Sequence, residues 1–258
     1  MKAYKYVGYG KKLEFDELRK PVSRKKEISI VLPTYNEEGN IGRLVRGINK
    51  VMSKTKYKNS YEIVIVDDNS SDKTSEMIDK LSKKDKVVAL HRYKDKGIFS
   101  AVLAGVKIAN GKYILNMDSD FNHPPEYILR LLKYKDKYDI VLCSRFVKGG
   151  DMPSTFISKY GAIGINRIIS NILHLGINDV NGGFHIMKKS DFDRIKFRYE
   201  VVFGEFGFEL FYRARRLGLK IKEVPFVYRI RDSGESGMGN KLKMSYVYLK
   251  RALQLRFE

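Results

Sequence analysis

The sequence predicts an α/β fold with a mostly parallel, twisted sheet flanked by helices. Two observations carry that expectation. Short β-branched runs alternate with amphipathic segments from residue 28 to residue 145. Polar clusters stand directly after four of the five runs. Alternation of this kind builds a parallel sheet through right-handed crossovers, and such sheets bind ligands beyond the C-terminal ends of their strands.

Taken in order, "ISIVLP" (28–33) is a short strand ended by proline. Residues 39–54 are helical, with Ile41, Leu44, Val45 and Ile48 at helical spacing. "YEIVIVDD" (61–68) is a second strand, and 71–84 an amphipathic helix with Ser71 or Asp72 as N-cap. "KVVALHR" (86–92) is a third strand, followed by a helix over 99–111 that Asn110-Gly111 stops. "KYILNMD" (112–118) is a fourth. A helix over 124–135 then opens on proline, and "YDIVLCSR" (138–145) is the fifth strand. Residues 1–27 read as an N-terminal extension, and 231–241 as a mobile glycine-rich loop. No internal repeat or low-complexity tract is visible.

Composition narrows the function classes. A chain of 258 residues with 43% hydrophobic content supports one large or two small domains with a real core. Lys and Arg number 50 against 30 Asp and Glu, so the formal charge of +20 calls for an anionic partner. Nucleic acid, an anionic membrane and phosphorylated substrates are the candidates. The basic residues are scattered and no RNA- or DNA-reading motif appears, which disfavours nucleic acid. The one cysteine, Cys143, reads as a core residue in a reducing compartment. No apolar run approaches the ~20 residues of a membrane span, and the N-terminus lacks a signal-peptide core. The expected location is therefore cytoplasmic, free or peripherally attached to a membrane.

The polar clusters suggest chemistry. There is no GxxxxGK[ST], and no GxGxxG follows the first strand, so phosphate must be met another way. A hard divalent cation on carboxylates is the natural alternative. In "NMDSDFN", Asp118, Asp120 and Asn122 alternate and would share one face of an extended segment. Alone, the stretch reads first as a polar turn. "VDDNSSD" offers Asp67 and Asp68 to a base or ribose, or simply caps a helix. "PTYNEE" offers Tyr35 for stacking and Glu37 for hydroxyls, or is an ordinary connection. Arg145 suits a phosphate or a surface ion pair.

The clusters in this order carry a resemblance. "VLPTYNEEGNI", "EIVIVDDNSSDKT", "GKYILNMDSDFNHPPE", "VLCSRFVKGG", "DVNGGFHIMKK", "GFELFYRARRLGLKIKEVPF" and "RDSGES" are similar to family 2 glycosyltransferases of the GT-A fold. Within them the chain resembles dolichyl-phosphate mannose synthases and related polyprenyl-phosphate sugar transferases, over roughly 28–236. The resemblance implies a nucleotide site of Pro33, Tyr35, Glu37, Val66, Asp68, Asp118, Ser119 and Arg145. It implies Mg²⁺ or Mn²⁺ on Asp118, Asp120 and Asn122. It assigns catalytic roles to Asp120, Arg231 and Glu209, with "DVNGGF" near the acceptor. The chain departs from the family pattern at Gly237, where a lysine is usual; Lys241 and Lys243 are the nearby lysines. A further departure is Ser154, in place of an arginine.

The implied reaction is inverting transfer of a hexose, mannose from GDP-mannose first and glucose from UDP-glucose next, onto a polyprenyl or dolichyl phosphate. An anionic acceptor needs no strong base; a sugar hydroxyl would need one, and Glu205 or Glu209 would supply it. Residues 237–258 read as a basic amphipathic helix. Leu242, Tyr246, Val247, Leu249 and Leu253 form one stripe, with Met244, Tyr248 and Leu255 nearly opposite. That helix suits either an anionic membrane surface or docking on the domain. A membrane-anchoring partner protein is a further expectation.

Overall fold

The computed structural model describes residues 25–83, 86–94, 97–197, 205–229 and 241–258, and the strand backbone of 4–8, 11–15 and 17–19. The side chains of 241 and 242 lie outside that description. In chain order the strands are β1 (Tyr4–Gly8), β2 (Lys11–Phe15), β3 (Glu17–Arg19), β4 (Lys26–Thr34), β5 (Tyr61–Asp67), β6 (Val87–His91), β7 (Gly111–Asn116), β8 (Ile140–Ser144), β9 (His185–Lys188) and β10 (Ile221–Pro225). The helices are α1 (Ile41–Met52), α2 (Thr74–Ser82), α3 (Ile98–Ile108), α4 (Ile128–Tyr134), α5 (Phe156–Ile172), α6 (Lys189–Arg194), α7 (Phe206–Arg216) and α8 (Lys241–Arg256).

The main sheet has eight strands in the order β10-β8-β9-β7-β4-β5-β6-β3. The five expected strands and four expected helices all form. β4 is central, pairing in parallel with β5 on one side and β7 on the other. Its core is a run of buried Ile28, Ile30, Val31 and Leu32, as a parallel strand covered on both faces requires. Alternate side chains divide two apolar layers. Ile30, Leu32, Ile63 and Ile65 join Ile41, Leu44 and Ile48 of α1 and Ile78 of α2 on one face. Val31, Val64 and Val66 join Ala101, Ala104, Phe208, Leu210 and Leu255 on the other. Cys143 is buried in the first of these layers, as a core residue.

Two antiparallel strands modify the expected pattern. β3 pairs with β6 at the sheet edge, so part of the N-terminal extension belongs to the main sheet, while β1 and β2 form a separate hairpin. The sequence reading contained no strand at β9, which inserts between β7 and β8 and runs antiparallel to both. His185 pairs with Asn116 on one side and Leu142 on the other. The loop of 231–240 lies outside the described residues.

Helix α3 approaches the sheet closely through Gly105. A Cβ at this position would fall 2.5 Å from Val31 Cγ1 and 3.0 Å from Val66 Cγ2. Gly105→Ala therefore gains helix propensity of roughly 1 kcal/mol but overpacks a rigid core. We expect a net loss of about 1–2 kcal/mol in chemical denaturation. Gly105→Ala with Val31→Ala should cost less than the sum of the two single changes, because the second removes the clashing methyl.

Candidate active site

Strand register brings the first two polar loops together. Pro33 pairs with Val66 and Thr34 with Asp67, and the Asp68 amide donates to the Thr34 carbonyl at 3.0 Å. Beyond them the loops are laced by side chains. Asn36, with φ 54°, donates its amide to Ser70 Oγ and accepts from the Ser71 amide. The Glu37 amide donates to Thr74 Oγ1, and Glu38 accepts from the Lys73 amide. Glu37 also accepts from Asn40 Nδ2 at 2.7 Å. Tyr35 remains 53% exposed at the rim, where a planar ligand can reach its ring.

His91, the last residue of β6, and Arg92 after it grip Asp67 at the end of β5 and Asp68 beyond it. Arg92, 1% exposed, pairs with Asp68 Oδ1 at 2.7 Å, and the Gly97 amide donates to Asp68 Oδ2 at 2.7 Å. His91 Nδ1 lies 3.0 Å from Asp67 Oδ2 and Nε2 lies 3.1 Å from Asp79 Oδ1. Asp67 also accepts from Ser70 and Ser75. Burial alone would raise Asp67, but the bonds from His91, Ser70 and Ser75 outweigh it and hold the carboxyl below its ordinary pKa. Burial alone would lower His91, yet its two carboxylate partners raise it above the ordinary value near 6.5.

The fourth strand ends in a tight corner. Residues 119–123 form bends rather than the extended segment expected from the alternation of Asp118, Asp120 and Asn122. Phe121 has φ 63°, a left-handed backbone uncommon for an aromatic residue and characteristic of functional turns. Asp120 caps this turn, accepting from the Asn122 amide at 3.0 Å and from Asn122 Nδ2 at 2.6 Å. That leaves Asn122 Oδ1 buried and without a partner. Ser119 Oγ donates to the Pro33 carbonyl and ties the corner to β4. His123 Nδ1 accepts from the Asp118 amide at 2.9 Å, so its proton sits on Nε2, 3.6 Å from Asp118 Oδ2. Burial pushes His123 down to about 4, keeping it neutral.

These residues fit a hard divalent cation. Two carboxylates and an unsatisfied amide oxygen are the donor chemistry of such an ion. The Asp118 side chain is 31% exposed, so the corner opens to the rim. Among the described residues no three His, Cys, Asp or Glu side chains form a cage. An ion here would need ligands from water or substrate, as Mg²⁺ commonly does.

Strand β9 delivers the "DVNGGF" turn to this corner. Gly183 lies against Asp118 and His123, its carbonyl accepts from Asn116 Nδ2, and Phe184 stacks on the His123 ring at 4.9 Å. Asp179, fully buried, holds Arg145 bidentately at 2.8 and 2.6 Å and also accepts from the Arg145 amide. Arg145 thus stands beside the corner with its fork on Asp179, its guanidinium 5.6 Å from the Tyr228 ring. Helix α7 abuts the same turn through Gly207, where a Cβ would fall 2.7 Å from the Val180 carbonyl.

Other expected residues stand elsewhere. Glu209 has no exposed surface and gives one oxygen to Arg213 and the other to Arg251 of α8. Its carboxylate joins two helices and is closed to solvent. Glu205, at the start of α7, is also buried. Arg231 and Gly237 lie outside the described residues, as do the side chain of Lys241 and that of Leu242 in the expected stripe. Helix α8 docks through Tyr248, Arg251, Ala252 and Leu255, while Tyr246 and Leu253 of the first stripe are exposed. Among the described residues no helix is long and apolar enough to cross a membrane. Sequence reasoning missed His91, Arg92, His123 as an acceptor, and Asp179. The "HR" ending the third strand was the available signal for the first two.

Comparison with known proteins bears on the family and the fold. The sequence model of "Glycosyl transferase family 2" matches residues 29–196. Dolichol-phosphate mannosyltransferase of Pyrococcus furiosus is 35% identical over 229 residues, 86% of this chain and 62% of that protein. An uncharacterized glycosyltransferase of Bacillus subtilis, YkcC, is 32% identical over 68% of this chain and 53% of its own length. The chain thus spans only about half to three-fifths of these relatives. Among solved structures, glucosyl-3-phosphoglycerate synthase from Mycobacterium tuberculosis has the same fold. Its complex with Mn²⁺, UDP-glucose and phosphoglyceric acid superposes with a TM-score of 0.66 at 17% identity, over 90% of this chain and 80% of that one. The same enzyme is also known with Mg²⁺ and UDP, at a TM-score of 0.66 and 17% identity over the same shares of the two chains. The fold is GT-A, and the chain belongs to glycosyl transferase family 2.

Proposed function

We propose that this chain transfers a hexose, with inversion, from a nucleotide diphosphate sugar to a polyprenyl or dolichyl phosphate. The observation that carries the reading is the convergence of three loops on one rim. The 33–37 loop meets 66–68 through the Asp68 amide on Thr34, and meets the Asp118–Asn122 corner through the Ser119 bond to Pro33. Tyr35, Glu37 and Asp68 flank the nucleoside side; Asp118, Asp120 and Asn122 face the diphosphate and its cation; Arg145 stands beside them. When bound, Mg²⁺ or Mn²⁺ supplies positive charge against the leaving diphosphate. Asp120 and Asn122 hold its position, with Phe121 setting the turn. In this reading 28–236 form the catalytic unit and 237–258 a basic helix beside it.

The burial of Glu209 between two arginines supports an acceptor that is already anionic. A lipid phosphate needs guidance and exclusion of water rather than deprotonation, and Arg231 has the charge for that guidance. Mannose from GDP-mannose is the first reading, because the archaeal relative is named for mannosyl transfer. Glucose from UDP-glucose is the second, because the solved neighbour holds that donor. Two exposed apolar sets support a membrane-borne acceptor. Phe156, Ile157 and Tyr160 lie on α5, and Tyr246, Leu253 and Phe257 lie on or beside α8.

Thermal-shift and activity measurements with GDP-mannose, UDP-glucose and Mn²⁺ test the donor and the corner together. One donor should stabilise the protein in the presence of metal. Asp120→Ala should abolish that stabilisation and lower kcat by about 10³-fold, the scale of a lost electrostatic contact to a leaving group. Glycosylation of a hydroxyl acceptor with no lipid-linked product would defeat the lipid-phosphate reading. Co-sedimentation with anionic vesicles is expected at low salt, and Ile157→Asp combined with Phe257→Asp should abolish it while leaving donor-induced stabilisation unchanged.

A further inference from the structure

We propose that His91 is a positioning residue for the nucleotide-binding rim, its single ring joining Asp67 at the end of β5 to Asp79 on α2 and so holding the 68–75 loop, an assignment that rests on reading that loop as the nucleoside side of the site. The ring is 3% exposed and has a carboxylate on each nitrogen, at 3.0 and 3.1 Å. A neutral imidazole has one N–H and can donate to only one of them. The imidazolium donates to both. Among the described residues the charged groups facing the ring are Asp67 from β5 and Asp79 from α2. The strand on the other side, β3, meets His91 through backbone pairing with Glu17.

The consequence reaches the rim through Asp67. Its carboxylate collects the Ser70 amide and hydroxyl, the Ser75 hydroxyl and His91. Ser70 Oγ in turn receives the Asn36 amide from the neighbouring loop. The backbone repeats the connection, since the Arg92 amide donates to the Asp67 carbonyl while the Arg92 side chain holds Asp68. Two successive basic side chains thus grip two successive carboxylates, one through the loop's base and one through its proposed ligand.

The clamp has a proton dependence with a definite sign. The folded-state pKa of His91 is raised above the ordinary 6.5. Its contribution is therefore complete below 6.5 and lost as pH rises through the folded value. Loss of the proton leaves one carboxylate facing a ring nitrogen that no longer donates, and the loop loosens.

Calorimetric titration with GDP and UDP in Mn²⁺, from about pH 6 to 9, tests this alongside amide hydrogen exchange of the 68–75 loop in the nucleotide-free protein. His91→Asn keeps an amide near the Nδ1 position, within reach of Asp67. His91→Gln extends towards Asp79 instead. Asp79→Asn, on the partly exposed far side, leaves the histidine in place. The wild type should lose about tenfold in nucleotide affinity across this range beyond any change seen in His91→Asn, the scale of one charge-assisted hydrogen bond. The effect should fall on donor KM with kcat little changed. His91→Gln should show weak affinity and fast loop exchange even at pH 6, and Asp79→Asn should move the wild-type step to lower pH. Equal loop protection and equal affinity in wild type and His91→Gln at pH 6 would overturn the clamp. Failure of the wild type to bind either nucleotide at any pH would overturn the nucleoside reading instead, and hydrogen exchange alone would then judge the clamp.

Discussion

The structure depends on the parallel pairing of one central strand with two neighbours. β4 is bonded along its length to β5 and along most of it to β7, and its last residues are where the site begins. The Thr34 carbonyl receives the Asp68 amide and the Pro33 carbonyl receives Ser119 Oγ. Three loops that diverge in sequence are therefore fixed to adjacent atoms of one strand. The apolar layers above and below keep that strand flat and dry. Main-chain bonds shielded in this way hold a geometry that exposed loops alone could not.

Electrostatics organises what the sheet positions. The chain carries a large positive excess, yet its buried carboxylates are matched with care. Asp68 has Arg92, Asp179 has Arg145, and Glu209 has Arg213 and Arg251. Removing one partner from such a pair leaves an uncompensated buried charge, which is far more costly than the pair is stabilising. These pairs therefore act chiefly as constraints on position. The Asp120 corner is built differently, around amide donors and a left-handed turn, which leaves an oxygen of Asn122 buried and without a partner.

Much of the fold was legible because its strands are uninterrupted β-branched runs and its helices have apolar residues at regular spacing. "EIVIV" and Ile41-Leu44-Val45-Ile48 leave little room for another reading. Strand β9 was not legible: "HIMK" is four residues long, with a histidine and a lysine at its ends, and only its two neighbours make it a strand. The polar corner was legible where its residues are close in sequence, as at Asp118, Asp120 and Asn122. Asp179 was not, because its partner Arg145 is 34 residues away and no spacing rule connects them. Glu209 stood in a familiar motif as a residue type suited to catalysis; its burial and its two arginine partners were not legible, because Arg251 lies 42 residues away on another helix.

The insertion of β9 has a consequence for how the molecule is made. Asn116 and Gly183, which meet beside the Asp118–Asn122 corner, are 67 residues apart. During synthesis β7 emerges long before the strand that must lie beside it, and β8 emerges in between with no direct bond to β7. Contacts of such long range close late, after the entropy of a large loop has been overcome. The other side of the rim, built from the consecutive units β4 to β6, can consolidate early. The corner proposed to hold the diphosphate is then among the last parts of the rim to assemble, after the loops proposed to hold the nucleoside.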